Sequence, residues 1–257
     1  MRMSSKSIVI GAGIGGIASG IRLRAMGYDV EVFESYHKPG GKLQEFEIGD
    51  YRFDAGPSLF TMPQLVDELF ELAGENPKKY FRYLRKDNVC NYFWENGLRF
   101  QAPADPDRFA SRAARVFNES EDEILNYIRK NREKYKLTAP LFIEQSLHRL
   151  STYFNKKALR AIGRFSKLDI FSNLHQVNRK HFKSDELVQL FDRYATYNGS
   201  SPYRTSGIMS MIPHLEMDMG TYFPEGGMYK ITEQLCGLGE RMGVRFHYSS
   251  PVDKISI

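Results

Sequence analysis

The sequence is poor in residues that make covalent or metal-based scaffolds. Two cysteines among 257 residues, Cys90 and Cys236, cannot build a disulfide framework or a cysteine zinc site, so we expect a reducing, intracellular setting. None of the six histidines stands in an H-E-x-x-H or comparable spacing, which predicts that there is no metal site. The absence of a G-x-S-x-G elbow and of a Walker loop argues against hydrolases and phosphotransferases.

Long hydrophobic runs are also missing. No apolar run approaches the roughly 18 residues of a membrane-spanning helix, and residues 1–6 do not form a signal peptide. We therefore expect a cytoplasmic protein that starts directly in its fold. Its 42% hydrophobic residues can fill the core of one large domain or two modest ones.

A glycine turn stands between an apolar strand-like run and a helix-like stretch near the start of the chain. Gly11, Gly13 and Gly16 have G-x-G-x-x-G spacing in this strand and helix context, which is typical of dinucleotide binding. Gly13 lets the backbone approach a pyrophosphate, and Gly16 lets the helix pack on the strand. Glu34 ends the next strand, where a carboxylate accepts ribose hydroxyls and repels a 2′-phosphate, so NADP is disfavoured. The alternative is an ordinary glycine turn.

A second glycine pair, Gly40-Gly41, is followed by Lys42 and lies close enough to Glu34 to reach the same pyrophosphate. A surface turn with a solvated lysine is the alternative. The pattern from Ile10 through Glu34 to Lys42 resembles the FAD-binding signature of the amine oxidase and carotenoid desaturase superfamily. That family often has arginine where Lys42 stands, and lysine keeps the charge but loses the bidentate fork.

The resemblance implies a Rossmann-like, GR2-type α/β domain that binds FAD rather than NAD. The residues that it implies for cofactor binding are Gly11, Gly13, Gly15, Gly16, Glu34, Gly40, Gly41, Lys42, Asp54, Gly56 and Pro57.

Two later stretches extend the resemblance to bacterial-type phytoene desaturases. Residues 53–58 look like the family segment beneath the flavin ring, and residues 223–228 look like its later flavin-domain loop. Residues 197–203 and 212–216 resemble the branch that acts on carotenoids, including hydroxycarotenoid 3,4-desaturases. The resemblance therefore implies carotenoid desaturation, with a carotenoid as substrate partner.

The order of predicted elements divides the chain into three segments. We expect residues 1–105 and 205–257 to form the FAD domain and residues 106–204 to form an inserted, mainly helical substrate and membrane domain. Family members are about twice as long, so the resemblance covers their N-terminal half and the C-terminal part of the fold is expected to be absent. A truncated fragment without activity of its own, and a flavin amine oxidase, are the alternatives.

The net charge of +5 is concentrated in one segment. Residues 147–183 carry nine basic residues and one acid, or +8, and the other 27 basic and 30 acidic residues leave −3. Apolar positions recur with helical spacing over residues 154–168, so we predict a basic amphipathic helix. Packing on its own domain and attraction to anionic lipid are both open, and the resemblance favours a peripheral membrane surface. No nucleic-acid motif accompanies the basic residues, which argues against a nucleic-acid partner.

In the desaturation that the resemblance implies, a hydride leaves for the flavin and a neighbouring proton departs, so a general base is possible. Glu225, His214, Glu216 and Asp54 are candidates for this general base, although each residue type is more often structural at such positions.

Overall fold

The computed structural model describes residues 5–142 and 168–256. The chain divides into two compact units, of which the first contains residues Met1–Arg85 and Tyr222–Ile257 and the second contains Lys86–Thr221. The contact pattern thus assigns residues 86–105 and 205–221 to the second unit, whereas the sequence pattern grouped them with the first. Which unit binds cofactor and which binds substrate stays a prediction.

The first unit contains seven strands and three helices within its described residues. In chain order these are β1 (Lys6–Ile10), α1 (Ile14–Ala25), β2 (Asp29–Phe33), β3 (Gln44–Ile48), β4 (Tyr51–Ala55), α2 (Gln64–Leu72), β5 (Tyr83–Arg85), β8 (Tyr222–Pro224), α8 (Lys230–Met242) and β9 (Arg245–His247), with a 3-10 turn at Pro77–Lys79. Strands and helices are numbered along the whole chain, so the labels that are missing here belong to the second unit.

A parallel three-stranded sheet in the order β1-β2-β9 forms the base of the first unit. The central strand β2 buries Val30 and Val32, which alternate with outward-facing residues as the period of two requires. Helix α1 packs on this sheet through the buried Ile17 and Ile21, and Leu235 of α8 joins the same core. The expected strand, helix and strand at the start of the chain are confirmed, and the two strands pair in parallel.

The strand-like runs 43–48 and 51–53 flank Gly49-Asp50, which predicts a hairpin, and the antiparallel hairpin β3–β4 turns there. Gly49 has a φ of +58°, a backbone conformation that glycine adopts at no steric cost. Strand β5 pairs antiparallel with β8, so a segment from the end of the chain completes this part of the first unit.

The described part of the second unit is mainly helical and has an aromatic core. Its elements are β6 (Asn88–Phe93), β7 (Arg99–Pro103), α3 (Pro106–Phe117), α4 (Glu121–Phe142), α5 (Leu174–His181), α6 (Asp185–Asp192) and α7 (Ile212–Met217), with 3-10 turns at Arg193–Asn198 and Gly207–Met211. Ser120 and Glu123 have the spacing of a capping box in the sequence, and Ser120 Oγ accepts the Glu123 backbone N–H at 3.3 Å at the start of α4. Edge contacts link Phe109, Tyr127 and Phe191, and they fix α3, α4 and α6 against one another.

The sequence pattern also predicts strands over residues 80–92 and 252–257, and the described residues contradict both predictions. The run 80–92 is not one strand, because β5 ends at Arg85 and pairs with β8, whereas β6 begins at Asn88 and pairs with β7. The apolar pattern predicts a strand over residues 252–257, but residues 252–256 are irregular and exposed, and no described strand pairs with them.

The basic amphipathic helix predicted over residues 154–168 lies outside the described residues, apart from Leu168. Within the described ranges, none of the helices has the length and hydropathy that crossing a bilayer demands.

Candidate cofactor site in the first unit

The glycine loop carries the end of β1 into the N-terminus of α1. Gly11 donates its N–H to the Phe33 carbonyl at 2.7 Å, which ties the loop to the end of β2. Gly13 is the N-cap of α1, and neither a side-chain cap nor an acidic residue occupies the first turn. The first N–H groups of a helix have no partner within the helix, so those of Ile14, Gly15 and Gly16 are oriented to receive an anion.

Glu34 follows β2 directly and binds the glycine loop. Its Oε2 accepts the backbone N–H of Ala12 at 2.7 Å, and its Oε1 accepts the N–H of Tyr36 at 2.8 Å. Burial opposes ionisation of this carboxylate, but the hydrogen bonds from Tyr36 and Ala12 outweigh burial and lower its pKa. Glu34 is therefore a fixed anion at neutral pH, with lone pairs left for a ribose hydroxyl.

The two glycine turns meet directly. Gly40 donates its N–H to the Ala12 carbonyl at 2.8 Å, and Gly13 and Gly40 form an isolated parallel bridge. A Cβ on Gly41 would stand 3.2 Å from the Gly13 Cα, and a Cβ on Gly40 would stand 2.2 Å from the Leu43 carbonyl oxygen. A side chain at either position would press on the backbone of these turns, so glycine is what lets the two turns pack this closely. Close approach of the backbone is also what a bound pyrophosphate requires.

A cleft of about 350 Å³ opens beside this floor. Four residues that the sequence assigns to cofactor binding line it, namely Gly13, Gly40, Lys42 and Pro57. Most of the other lining residues are apolar. One comes from each of α1, α2 and α8, and the rest come from the loops at residues 43, 59–61 and 228. Lys42 is exposed and has no ion pair among the described residues, so its charge is available to an anion in the cleft.

Asp54 of β4 links the stretch 53–58 to the loop before α8. Its Oδ2 accepts the Met228 N–H at 2.9 Å and its Oδ1 accepts the Tyr229 N–H at 3.1 Å. Arg52 adds hydrogen bonds to the Gly226 carbonyl and to Asp54. A Cβ on Gly56 would stand 1.9 Å from the Lys42 carbonyl oxygen, so only glycine lets residues 42 and 56 approach this closely. The two stretches at 53–58 and 223–228 are therefore neighbours.

The four general-base candidates have different surroundings. Both carboxylate oxygens of Asp54 hold backbone N–H groups, whereas the Glu225 side chain is exposed and has no hydrogen bond within the described residues. His214 belongs to the second unit, where its Nδ1 lies 2.6 Å from Asp218 Oδ2. Glu216, also in the second unit, is fully buried and accepts hydrogen bonds from Arg193 and Tyr197, both at 2.6 Å.

Three residues that hold the loops around the cleft in place were not identified from the sequence. Ala12 provides the N–H that fixes Glu34, Arg52 holds the Gly226 carbonyl, and the Tyr229 hydroxyl donates to the Pro39 carbonyl at 3.2 Å. Tyr229 also lies under Lys38, whose Nζ is 5.4 Å from the ring centroid. No local motif marks these residues, because their partners are distant in the chain.

No group of three or more histidine, cysteine or acidic residues within the described ranges is arranged to hold a metal ion.

The first unit combines a parallel β-α-β arrangement, an open glycine loop at a helix N-terminus, a carboxylate after the second strand and a second glycine turn. These features define a dinucleotide-binding fold of the flavoprotein class, and the anion-binding amides and Glu34 fit the adenosine diphosphate part of FAD. The family model described as flavin containing amine oxidoreductase matches residues 14–257, and the chain belongs to this family. Membership confirms the recognised superfamily, the Rossmann-like α/β fold class and the FAD cofactor.

Curated relatives include several carotenoid desaturases. The chain is 49% identical over 251 residues to a 1-hydroxycarotenoid 3,4-desaturase of a Flavobacterium species, which covers 98% of this chain and 51% of the relative. It is 27% identical to the zeta-carotene-forming phytoene desaturase of Myxococcus xanthus over 96% of this chain and 47% of that relative. The chain thus spans about half the length of the curated relatives that it matches.

Solved structures support the fold. Cyclohexylamine oxidase from Brevibacterium oxydans matches with a TM-score of 0.56 at 18% identity, covering 97% of this chain and 52% of that one. At this identity the likeness shows the fold alone.

Proposed function

We propose that this chain is part of an FAD-dependent carotenoid desaturase, and specifically of an enzyme that acts on a 1-hydroxycarotenoid to introduce the 3,4 double bond. The observation that carries the proposal is the 49% identity to a 1-hydroxycarotenoid 3,4-desaturase over nearly the whole chain. The amine oxidases among the structural neighbours share only the fold, so they do not favour amine oxidation.

In this proposal the first unit binds FAD and the second unit holds substrate. When bound, FAD supplies the acceptor for a hydride that leaves a carbon next to the polyene. The N–H groups at the start of α1 and the Lys42 ammonium hold the pyrophosphate, and Glu34 accepts a ribose hydroxyl. The apolar walls of the cleft exclude water beside the cofactor, which strengthens these charged contacts.

The proton that leaves with the hydride needs an acceptor of this chain or of the solvent. Among the four candidates, Glu225 is the one whose carboxylate has no hydrogen bond to other described residues. Asp54 and Glu216 use both oxygens to hold other groups, and His214 is paired with Asp218. We therefore assign Glu225 the role of general base in preference to the others.

The proposed substrate also implies where the enzyme works. Carotenoids are hydrocarbon-like and dissolve in bilayers, so we propose a cytoplasmic enzyme that associates peripherally with a membrane. The basic segment 147–183, with its charge of +8, is suited to an anionic lipid surface.

The test is pigment analysis with the complete gene product that carries these 257 residues. The purified protein, reconstituted with FAD, is incubated with a 1-hydroxycarotenoid and, separately, with phytoene and with a primary amine. The proposal predicts one further conjugated double bond in the hydroxycarotenoid, seen as a red-shifted absorption band. Oxidation of the amine without any change in either polyene would overturn it.

A further inference from the structure

A second cavity lies within the second unit, between α4 and α5. Its volume is about 540 Å³, which is within the range of small-molecule sites. From α4 it is lined by residues spaced three or four apart, which lie on one face of the helix, and from α5 by Val177, Lys180 and His181. The cavity is thus a groove between two facing helical surfaces.

The charges of this groove are unbalanced. Arg129, Lys130, Lys134 and Lys180 line it together with Glu133 and Asp169, so four positive charges against two negative ones leave an excess of two. The negative charges are already paired. Asp169 Oδ2 lies 2.5 Å from the Lys134 Nζ, and Glu133 forms an ion pair with Lys136 at 3.1 Å.

Three cations at the rim have no such partner. Arg129, Lys130 and Lys180 are exposed and form no ion pair with any described residue. Lys180 stands in the last turn of α5, where a positive charge complements the helix dipole. Arg129 and Lys130 stand in the middle of α4, where the helix dipole does not stabilise a positive charge.

The positive charge of the groove affects the pKa values of two residues that line it, Lys134 and His181. Lys134 is 6% exposed, and its Nζ contacts Ser210 Oγ at 2.7 Å. Burial lowers the pKa of Lys134, and the charges of Lys130 and Lys180 lower it further against the effect of Asp169. Burial likewise lowers the pKa of His181, and Lys130 adds to this. An anion in the groove would relieve the repulsion among these groups.

The groove is also partly apolar. Leu137 and Val177 lie in its wall, and the lysine and arginine stems add methylene surface. We infer that the groove binds one molecule of an anionic phospholipid, with the headgroup phosphate among Arg129, Lys130 and Lys180 and the first acyl carbons against the apolar wall. This inference rests on the proposed membrane association and is independent of the proposed reaction.

The test uses soluble short-chain lipids, which report on the groove without a bilayer. Binding of dihexanoyl phosphatidylglycerol, dihexanoyl phosphatidylcholine and inorganic phosphate to the complete protein is measured by calorimetry at low salt. The inference predicts that the phosphatidylglycerol binds at least about tenfold more tightly than the other two, because only it offers both a net negative charge and an apolar part. Equal binding of phosphate and of the anionic lipid would overturn it.

Variants localise the site. Lys130→Gln with Lys180→Gln removes two rim charges, and Lys78→Gln with Lys79→Gln removes two exposed lysines of the first unit as a matched control. We expect the rim variant to lose about tenfold or more in affinity for the phosphatidylglycerol and the control to keep it. Unchanged affinity in the rim variant contradicts the inference. Sedimentation with phosphatidylglycerol vesicles tests the proposed membrane association separately. If the protein binds vesicles but not the short-chain lipid, the inference about the groove is refuted and the proposed membrane association stands.

Discussion

Glu34 and Ala12 are joined by a hydrogen bond of 2.7 Å from the Ala12 N–H to Glu34 Oε2. This bond connects the residue that ends β2 with the loop that begins α1, so the expected ribose ligand also shapes the expected phosphate loop. A change at Glu34 should therefore affect both the cofactor and the loop.

The first prediction concerns pH. The folded-state pKa of Glu34 is below its ordinary value of 4.5, so its carboxylate contributes stability that is complete above that value and is lost as pH falls through the folded pKa. Glu34→Gln should then be less stable than the wild type at about pH 7, and the difference should shrink at about pH 4. Urea unfolding followed by circular dichroism at each pH measures the free energy of unfolding of the two proteins. A difference that stays constant between these pH values would contradict the role of the ionised form.

The second prediction separates glycines that bind from glycines that pack. A Cβ on Gly13 meets only the Gly41 Cα at 3.9 Å, whereas a Cβ on Gly16 would stand 1.9 Å from the Gly11 carbonyl oxygen. Gly13→Ala should fold normally and lose about tenfold in FAD affinity, while Gly16→Ala should lose roughly 2 kcal/mol or more of stability.

Flavin fluorescence titration and thermal unfolding measure the two effects. Gly237→Ala is the control, because its Cβ meets only the flexible end of Arg241 at 3.3 Å, away from the cleft. If Gly13→Ala bound FAD as tightly as the control does, the loop would not contact the pyrophosphate.

The third prediction concerns the loop before α8. Asp54→Ala leaves the N–H groups of Met228 and Tyr229 without their acceptors and should cost about 1–2 kcal/mol of stability. The stability of Asp54→Asn should lie between those of the wild type and Asp54→Ala. Asp253→Ala, in the irregular segment near the end of the chain, is the control. Loss of turnover at unchanged stability would instead indicate that Asp54 is the general base.

The fourth prediction concerns the buried pair in the second unit. Glu216 is fully buried beside Arg193, so Glu216→Gln leaves the guanidinium unpaired and should cost about 3–5 kcal/mol. Tyr197→Phe removes one neutral donor and should cost about 1 kcal/mol.

Trp94 reports on this unit directly. It is the single tryptophan of the sequence, and its Nε1–H donates to Gln189 at 2.9 Å within the second unit. Unfolding followed by Trp94 fluorescence should show a larger loss of stability for Glu216→Gln than for Tyr197→Phe. Equal midpoints for Glu216→Gln and the wild type would mean that the ion pair does not stabilise the unit.

The sequence predicts the parts of the site that depend on neighbours along the chain. Gly11, Gly13 and Gly16 are recognisable because the strand, the turn and the helix follow one another, and Glu34 because it ends the next strand. The contact of Asp54 with Met228 and Tyr229 joins residues more than 170 positions apart, and no periodicity signals it. Strand pairing has the same limit, since residues 252–256 have a strand-like pattern but no described partner.

The central claim is that the glycine loop and Glu34 bind the adenosine diphosphate part of FAD. The most direct measurement is titration of the complete, cofactor-free gene product with FAD and with FMN, which lacks the adenosine monophosphate moiety of FAD, in the wild type and in Glu34→Gln. The account predicts saturable quenching of flavin fluorescence by FAD, much weaker binding of FMN, and a loss of the preference for FAD in Glu34→Gln. Equal affinity of the wild type for FAD and FMN, or no binding of FAD by the folded protein, would contradict it.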